Sequence, residues 1–274
     1  MEKQKLTYTP EQAAAKEVFC RRRGEYKWKS SSLWDDILLY DHKLISGYAE
    51  YSSLPFERGA LSPVMCELIA IVIDSSITHL HEAGLRNHIG HAIEVGATEG
   101  QVLTALEIAC TIGSRVFTEG FQVYAEELKS RGMYDKLAVK EENQEKKETR
   151  ELYQYNGYDF WDEGHDEALA LDPVGMRIFA GWNRAALTND CVSQKDKELL
   201  WLALYASPTT VYVPGIKEHL KKAMDLGATH EEIISVFELI SVIGVHSLTV
   251  SMPILKKQAQ DFANGDMWNE KDRT

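Results

Sequence analysis

Cysteine is scarce in this sequence, and its few thiols are scattered. Four cysteines occur in 274 residues, at Cys20, Cys66, Cys110 and Cys191, and no two of them form a CxxC pair. Closely spaced cysteine pairs are the signature of a disulfide framework or a zinc ribbon. Their absence excludes both kinds of scaffold, and we predict that most of these thiols are buried small apolar side chains.

Excess positive charge and long apolar runs are also lacking. The chain has 42 acidic and 30 basic residues, a formal net charge of −12, which argues against a surface that follows nucleic-acid phosphates. An anionic small substrate would therefore need a local basic pocket. No apolar run approaches the roughly 20 residues of a membrane-spanning helix, and the first residues contain no apolar signal core. We expect a cytoplasmic protein without a membrane or nucleic-acid partner.

What the sequence does contain is an internal repeat. A shift of 131 positions aligns residues 61–113 with residues 192–244 without gaps, and 14 of the 53 aligned positions are identical. Self-similarity at a fixed offset indicates a duplicated structural unit. We therefore interpret the chain as two copies of one unit.

The similarity continues upstream of the aligned segments. Asp41 and Tyr48 face Asp172 and Phe179, so each copy begins on an aromatic-bearing helix. Between the copies lies the charged run KEENQEKKETRE, which cannot bury itself and indicates a solvated helix or a linker. The predicted divisions are an N-terminal helical extension (1–32), a first unit (33–128), a charged linker (129–165) and a second unit (166–274).

Helix signals recur at matching places in the two copies. Thr98-x-x-Gln101 and Thr229-x-x-Glu232 have the form of capping boxes, and a glycine two residues before each box suits the left-handed end of the preceding helix. The first long helix of each copy is apolar nearly all round, which is typical of a buried helix. Alternating strand-like patterns are missing. The predicted fold class is all-α, a tandem duplication of one helical unit.

Several polar residues are retained in both copies, and one pair of them suggests chemistry. Glu67 and Glu198 stand early in the apolar helices, and a histidine follows each of them 21 residues later, at His88 and His219. A carboxylate buried against a histidine, with its pKa raised by desolvation, could hold or relay a proton near neutral pH. The simpler interpretation is a rim carboxylate at a helix start and a structural histidine. Both interpretations stay open at this point.

The first copy contains an additional group of histidines. They are His79, His81, His88 and His91, of which the last two would share one helix face. Such a group can ligate a metal. However, the second copy matches only His88, with His219, and no standard ligand signature such as HExxH occurs. The sequence therefore predicts no metal site.

The first copy resembles a known helical family. Its glutamate, the histidine of its second helix and the Gly-Ala-Thr that follows resemble the carboxymuconolactone decarboxylase family, whose all-helical fold is shared with alkylhydroperoxidase D. These residues belong to the run ELIAIVIDSSITHLHEAGLRNHIGHAIEVGATEGQVLTALEIACTIG, and the second copy repeats their pattern. The resemblance covers roughly residues 33–127 and 166–258 and implies an alkylhydroperoxidase D-like unit in each copy.

The branches of this family differ in their chemistry. The peroxidase branch uses the motif CxxCxxxH, in which the two cysteines do the redox work. Here the cysteine positions are occupied by His81 and Gly84 in the first copy and by Tyr212 and Gly215 in the second. A single thiol elsewhere, without a resolving partner, is a poor peroxidase centre, so the sequence argues against thiol peroxidase activity. The decarboxylase branch has no thiol there. The Glu-to-His spacing is two residues longer than in either branch, which predicts a distinct pocket mouth.

The resemblance implies a cofactor-independent lyase that acts on a small carboxylate or lactone by acid–base chemistry. The histidine would supply a proton, and the glutamate would orient the imidazole. The expected catalytic residues are Glu67, His88, Glu198 and His219. The expected substrate-binding residues are His81, Arg86, Thr78, Thr209 and Tyr212. We expect the first copy, with its arginine and several histidines, to be the better site, and the pocket of the second copy to be rigid or vestigial.

Other functions stay open beside this one. A non-catalytic helical scaffold or small-molecule-binding protein could keep the fold and lose the chemistry, and a peroxidase-related oxidoreductase is the weaker candidate. The expected partner is a small anionic substrate, and no cofactor is expected. The resemblance also implies assembly, because members of this family form rings of paired units. Since one chain here holds two units, we expect a homo-oligomer, a trimer that imitates a six-unit ring.

Overall fold

The computed structural model describes residues 6–29, 32–139, 141, 143–155, 158–159, 161 and 163–264. Most of these residues are helical, which confirms the predicted all-α fold class. The α-helices are α1 (Pro10–Arg23), α2 (Glu25–Lys29), α3 (Leu33–Tyr40), α4 (His42–Arg58), α5 (Pro63–Ser75), α6 (Glu82–Glu94), α7 (Glu99–Cys110), α8 (Phe121–Ser130), α9 (Tyr134–Leu137), α10 (Gln144–Leu152), α11 (Glu163–Leu171), α12 (Pro173–Thr188), α13 (Gln194–Ala206), α14 (Val213–Asp225), α15 (His230–Ser241) and α16 (Val245–Ala263).

Short irregular elements complete the described chain. Thr111–Gly113 and Val242–Gly244 form 3₁₀ turns, and Val116–Gly120 forms a π-helical turn. A single antiparallel hairpin pairs β1 (Gln154–Tyr155) with β2 (Tyr158–Asp159).

Two compact units make up the chain, and they do not follow the sequence repeat. One unit comprises residues 1–62 with 229–274, and the other comprises residues 63–228. The second unit therefore holds the glutamate-bearing and histidine-bearing helices of both copies, α5 with α6 and α13 with α14. The predicted domain boundaries describe the duplication in the sequence and stay a prediction.

In the first unit, the N-terminal segment is a capped helix that packs on α4. Thr9 and Gln12 form a capping box at the start of α1, and Phe19 is buried among aromatic rings, 5.1 Å from Trp28 and 4.9 Å from Trp34 between ring centroids. The α15 helix packs on α4 as well. The third helix of the second copy thus lies against the aromatic-bearing helix of the first copy.

The helical stretch His230–Ala263 corrects one expectation. It spans 34 residues and contains an 18-residue window with a mean hydropathy of 1.9, so its length and composition would allow it to cross a membrane. The expectation that no apolar run approaches this length is therefore wrong for this stretch. A core helix of a soluble protein passes the same test, and Glu238 in α15 forms an ion pair with Arg58 at 2.6 Å.

In the second unit, α5 and α13 form the buried centre. Both helices are apolar along almost their whole length and pack on each other, with α6 against α5 and α14 against α13. The α7 helix packs on α12, so the third helix of the first copy lies against the aromatic-bearing helix of the second. This arrangement mirrors the packing of α15 on α4.

The predicted helix ends are confirmed in both copies. Thr98 with Gln101 and Thr229 with Glu232 form complete capping boxes. The glycines that precede them adopt left-handed backbone conformations, with φ of 99° at Gly96 and 86° at Gly227. Upstream, Asp41 and Asp172 cap the starts of α4 and α12. The repeat therefore preserves the residues that start and end the helices as well as their apolar faces.

The described part of residues 129–165 includes α9 and α10, and the alternatives predicted for its charged run were a solvated helix or a linker. The charged run forms α10, which packs on α12. Lys146 is buried and donates to the carbonyl of Val139 at 2.5 Å, and Thr149 is fully buried. At the end of this range, Tyr153 and His165 stack edge to face with their ring centroids 4.6 Å apart. The stretch contributes these two rings to the interior of the second unit.

The prediction that most cysteines are buried is wrong. Cys66 is buried and Cys20 is half-buried, whereas Cys110 and Cys191 are exposed. All four are free thiols.

Candidate active site

Each copy brings one buried glutamate against one histidine. Nδ1 of His88 on α6 lies 2.6 Å from Oε2 of Glu67 on α5, and Nδ1 of His219 on α14 lies 2.8 Å from Oε2 of Glu198 on α13. The glutamates are only 6% and 0% exposed. They are therefore not carboxylates at a solvent-exposed rim, so that part of the simpler interpretation is wrong for both, whereas a structural role of the histidines stays open.

A carboxylate on one ring nitrogen decides what the other nitrogen can do. When the glutamate accepts a hydrogen bond from Nδ1–H, the ring is held in one orientation and Nε2 becomes the atom that exchanges protons. Each pair can thus act as an acid–base pair toward a molecule next to Nε2.

The two pairs are positioned by the same tight turn. The amide of His81 donates to the carbonyl of Asp74 at 2.9 Å, and the amide of Tyr212 donates to the carbonyl of Tyr205, also at 2.9 Å. In both turns a residue other than glycine has a positive φ: Leu80 in the first copy and Val211 in the second, each two residues before the helix begins. This turn accommodates the two extra residues between glutamate and histidine and sets the start of the histidine-bearing helix.

The two threonines that we expected to bind substrate belong to these turns. Oγ1 of Thr78 lies 3.1 Å from Oγ1 of Thr209, so the matching turns of the two copies hydrogen-bond to each other. Their hydroxyls are thus engaged in joining the copies. The structure does not bring them to the cavity described below.

A glycine in each histidine-bearing helix allows the preceding helix to come close. A Cβ at Gly84 would collide with the carboxylate of Asp74 and with Nδ1 of His81. A Cβ at Gly215 would lie 2.8 Å from the ring of Tyr205 and 2.9 Å from the ring of Tyr212. Both glycines lie inside continuous helices, so they allow the close approach and do not end a helix.

In the first copy, Asp74 lies among histidines. It is 2% exposed, and its carboxylate oxygens lie 3.6 Å from Nε2 of His79, 3.7 Å from Nδ1 of His81 and 4.0 Å from Nε2 of His88. His81 is the N-cap of α6, where its Nδ1 accepts a hydrogen bond from the amide of Gly84 at 3.1 Å. His81 therefore precedes the helix rather than lying two turns before His88 within it.

Burial controls the ionisation of this group. It raises the pKa of the Asp74 carboxyl to about 6, a rise that the neighbouring His88 partly offsets. Burial also lowers the pKa of His79 and of His81, and for His81 the neighbouring histidines lower it further. The polar group of the first copy is thus poised to stay uncharged more readily than the same side chains in water.

Arg86 is not brought to the Glu67–His88 pair. Its side chain is 78% exposed and forms an ion pair with Glu82 one turn earlier, at 2.8 Å. Residues two apart on a helix do not face each other, so Arg86 points away from the direction of His88. The expectation that it anchors a substrate carboxylate beside His88 has no support in this geometry.

In the second copy, aromatic rings surround the histidine. The ring of His219 stacks on Tyr205 at a centroid distance of 5.2 Å and on Trp201 at 5.4 Å, with interplanar angles of 9° and 20°. Nε1 of Trp201 donates to Oγ1 of Thr111 at 2.9 Å, which holds the indole in place. His219 is 7% exposed. These rings replace the polar neighbours that His88 has in the first copy.

A cavity of about 120 Å³ lies beside this second pair. It is lined by His219 and Tyr212, and by Arg115 and Ser114 from the segment that follows α7. Ligand pockets commonly measure about 300–1,000 Å³, so this cavity is smaller than most and fits only a very small molecule. The second copy, whose pocket we expected to be rigid or vestigial, therefore has both a Glu–His pair and a cavity beside it.

The sequence reasoning missed several residues of this site. Arg115 lies just beyond the aligned segment, and no motif marks it. Asp74 and Tyr205 occupy matching positions 131 residues apart, yet a search for residues identical in both copies passes over them because they differ. Their position, seven residues after the retained glutamate and therefore about two helical turns along the same face, was the available signal.

Fold and site together define a class: an all-α protein with a tandem repeat and a buried Glu–His pair in each copy. No match is found among protein-family models or among curated proteins. Among solved structures, the chain is similar to a crystal structure of a protein from Burkholderia xenovorans LB400, named provisionally as a gamma-carboxymuconolactone decarboxylase subunit. The two chains are 28% identical, the match covers 92% of this chain and 99% of that one, and the TM-score is 0.82. This similarity in fold and sequence supports the resemblance to the carboxymuconolactone decarboxylase family that the sequence predicted.

Proposed function

We propose that this protein is a cofactor-independent lyase of the carboxymuconolactone decarboxylase type, which acts on a small carboxylate or lactone with His219 as its proton donor. The observation that carries the proposal is the cavity beside the buried Glu198–His219 pair. The similarity to a protein named for this activity supports the class of reaction. The cavity supports the second copy as the place where the reaction occurs.

Arg115 supplies the local positive charge that an anionic substrate needs. It lines the same cavity as His219, and its guanidinium lies 4.2 Å from the ring centroid of Tyr212. The hydroxyl of Tyr212 donates to Glu119, which fixes the ring that supports the arginine. A planar guanidinium can bind a carboxylate through two parallel hydrogen bonds. We assign to Arg115 the anchoring role that we had expected of Arg86.

The proposed step is loss of CO₂ from a carbon next to a carbonyl group or a vinylogous acceptor. The carbon–carbon bond breaks, its electron pair forms an enolate, and CO₂ leaves. Protonated His219 donates its Nε2 proton to the enolate carbon, while Glu198 holds Nδ1 and stabilises the imidazolium before the transfer. Solvent then returns a proton to the imidazole, so the pair ends in its starting state.

A panel of small lactones and carboxylates tests this proposal. Thermal shift identifies ligands, and chromatography with CO₂ detection identifies products for the wild-type protein and the Glu198→Gln variant. We expect the wild-type protein to turn over at least one ligand, with kcat reduced about 10²–10⁴-fold in the variant, the usual contribution of general acid–base catalysis. Binding without turnover would assign the protein to the non-catalytic alternative.

A further inference from the structure

The first copy holds a second kind of site, built from side chains that the reaction at His219 does not use. We propose that Asp74, His79 and His81 bind a divalent transition-metal ion. This proposal replaces the expectation that the chain has no metal site. It is independent of the proposed lyase activity, because metal binding can be measured without a substrate.

The spacing of the three residues is that of ligands around an ion. Their ligand atoms lie within 4.8 Å of one another. Oδ1 of Asp74 is 3.6 Å from Nε2 of His79, and Oδ2 is 3.7 Å from Nδ1 of His81. These distances exceed the usual range of about 2.7–3.2 Å for an N–H···O hydrogen bond. They are close to the edge of about 3.3–3.4 Å of a tetrahedron whose ligands stand about 2.0–2.1 Å from Zn²⁺. Small side-chain movements would complete the coordination.

The backbone at Gly84 shapes the site. Its amide donates to Nδ1 of His81, so this nitrogen is unprotonated and has its single lone pair in that hydrogen bond. A metal ion bound at Nδ1 would replace this hydrogen bond. Any side chain at Gly84 would collide with Asp74 and His81. The position is thus open only to glycine as long as the two ligands keep their places.

Charge and donor type favour a transition metal. The Asp74 carboxylate is 2% exposed, and a divalent ion would compensate a buried negative charge that is otherwise costly. One carboxylate with two imidazoles suits first-row transition metals, whereas Mg²⁺ and Ca²⁺ prefer oxygen ligands throughout. Beside this group, Nε2 of His88 lies 4.0 Å from Asp74, and Glu67 holds its Nδ1. A carboxylate behind an imidazole is the usual support of histidines at metal sites.

Titration of Zn²⁺ into tag-free protein, first stripped with chelator, tests the proposal by calorimetry. We expect one Zn²⁺ per chain and no heat with Mg²⁺. The His79→Gln and Asp74→Asn variants should bind Zn²⁺ about 100-fold more weakly or not at all, since even the loss of a supporting group costs about 10–100-fold in metal affinity. The matched control is His230→Gln, which changes an exposed histidine outside both sites and should bind Zn²⁺ like the wild-type protein.

Circular dichroism and thermal unfolding of the metal-free variants show whether each one is folded. Should Asp74→Asn fail to fold, His79→Gln decides the test, because that side chain is partly exposed and its loss leaves no buried cavity. Wild-type protein that binds no Zn²⁺ overturns the proposal. Equal Zn²⁺ affinity in folded His79→Gln and wild-type protein overturns it as well.

Discussion

The two Glu–His pairs share one backbone frame and differ in what surrounds them. In each copy a buried glutamate holds Nδ1 of a histidine across the same tight turn. The first pair stands beside a buried carboxylate and two further histidines, whereas the second is stacked between aromatic rings next to a cavity. Three matched positions make this difference: Asp74, His79 and His81 in the first copy correspond to Tyr205, Thr210 and Tyr212 in the second.

This difference separates the part of the site that duplication preserved from the part that it released. The pair itself depends on burial of the glutamate in the first turns of an apolar helix, so changing it would leave a buried charge or an unpaired polar group. Two of the three variable positions lie near the histidine. Asp74 is 4.0 Å from Nε2 of His88, and Tyr205 and Tyr212 line the cavity beside His219. Both pairs keep their geometry despite these differences, which makes a metal site in one copy and an organic ligand site in the other compatible with the same fold.

Replacing the two histidines separately is the strongest test of whether the two copies differ in function. We expect His219→Gln to lower kcat about 10²–10⁴-fold toward a substrate found in the panel, because it removes the proton donor. His88→Gln should change kcat by less than about 3-fold, which is small against this effect of acid–base catalysis. Steady-state kinetics of both variants with the same substrate measures the ratio.

Glutamine preserves the approximate size of the side chain and one hydrogen bond, so both variants should keep the unfolding transition of the wild-type protein. Equal losses of kcat in the two variants would mean that the copies work as one site. Loss in His88→Gln alone would place the reaction in the first copy and remove the cavity at His219 from the mechanism.

The two glycines beneath the sites give an intermediate effect. In Gly215→Ala the new methyl group meets the rings of Tyr205 and Tyr212, and overpacking of this kind costs about 1–3 kcal/mol of unfolding free energy. Both rings line the cavity, so turnover should fall with stability. Gly84→Ala should instead displace Asp74 and His81, which reduces Zn²⁺ binding and leaves turnover in place.

The control for both is Gly90→Ala, in the same helix as Gly84. A Cβ at Gly90 meets nothing within 4 Å, so this change should stabilise the helix by about 0.5–1 kcal/mol, the ordinary gain of alanine over glycine. Urea unfolding monitored by circular dichroism gives all three values. A stabilising Gly215→Ala would show that the rings have more room than the close approach indicates.

Sequence reasoning recovers the parts of this molecule that are repeated or local. The capping boxes at Thr98 and Thr229 could be predicted, because local hydrogen bonds determine them. The contact of each buried glutamate with the histidine 21 residues later could be suggested as well, because apolar periodicity and the repeat place both on neighbouring helices. Reciprocal packing of α7 on α12 and of α15 on α4 could not, since it depends on contacts far apart in the chain. Arg115 and Asp74 were missed for a related reason: a comparison of copies finds what they share, and these residues belong to what they do not.

The turns that carry both sites are strained, and to different degrees. Among the described residues, Leu80 with φ of 44° and Val211 with φ of 39° are the non-glycine residues with positive φ. The left-handed conformation costs an ordinary L-residue roughly 1–2 kcal/mol, and a β-branched side chain is the less suited of the two. Both side chains are 58% exposed, so replacing them disturbs little packing.

Asparagine tolerates this conformation, and its substitution at the two positions measures the strain. We expect Val211→Asn to raise the free energy of unfolding by about 0.5–1 kcal/mol, with a smaller gain for Leu80→Asn, because relief is greater where the β-branched residue is lost. Val213→Asn is the matched control: Val213 is also exposed but begins α14, where φ is not positive, so no gain should follow. An equal gain in unfolding free energy at Val213 and Val211 would mean that any exposed valine-to-asparagine change is stabilising. The turn of the second copy would then hold no more strain than that of the first.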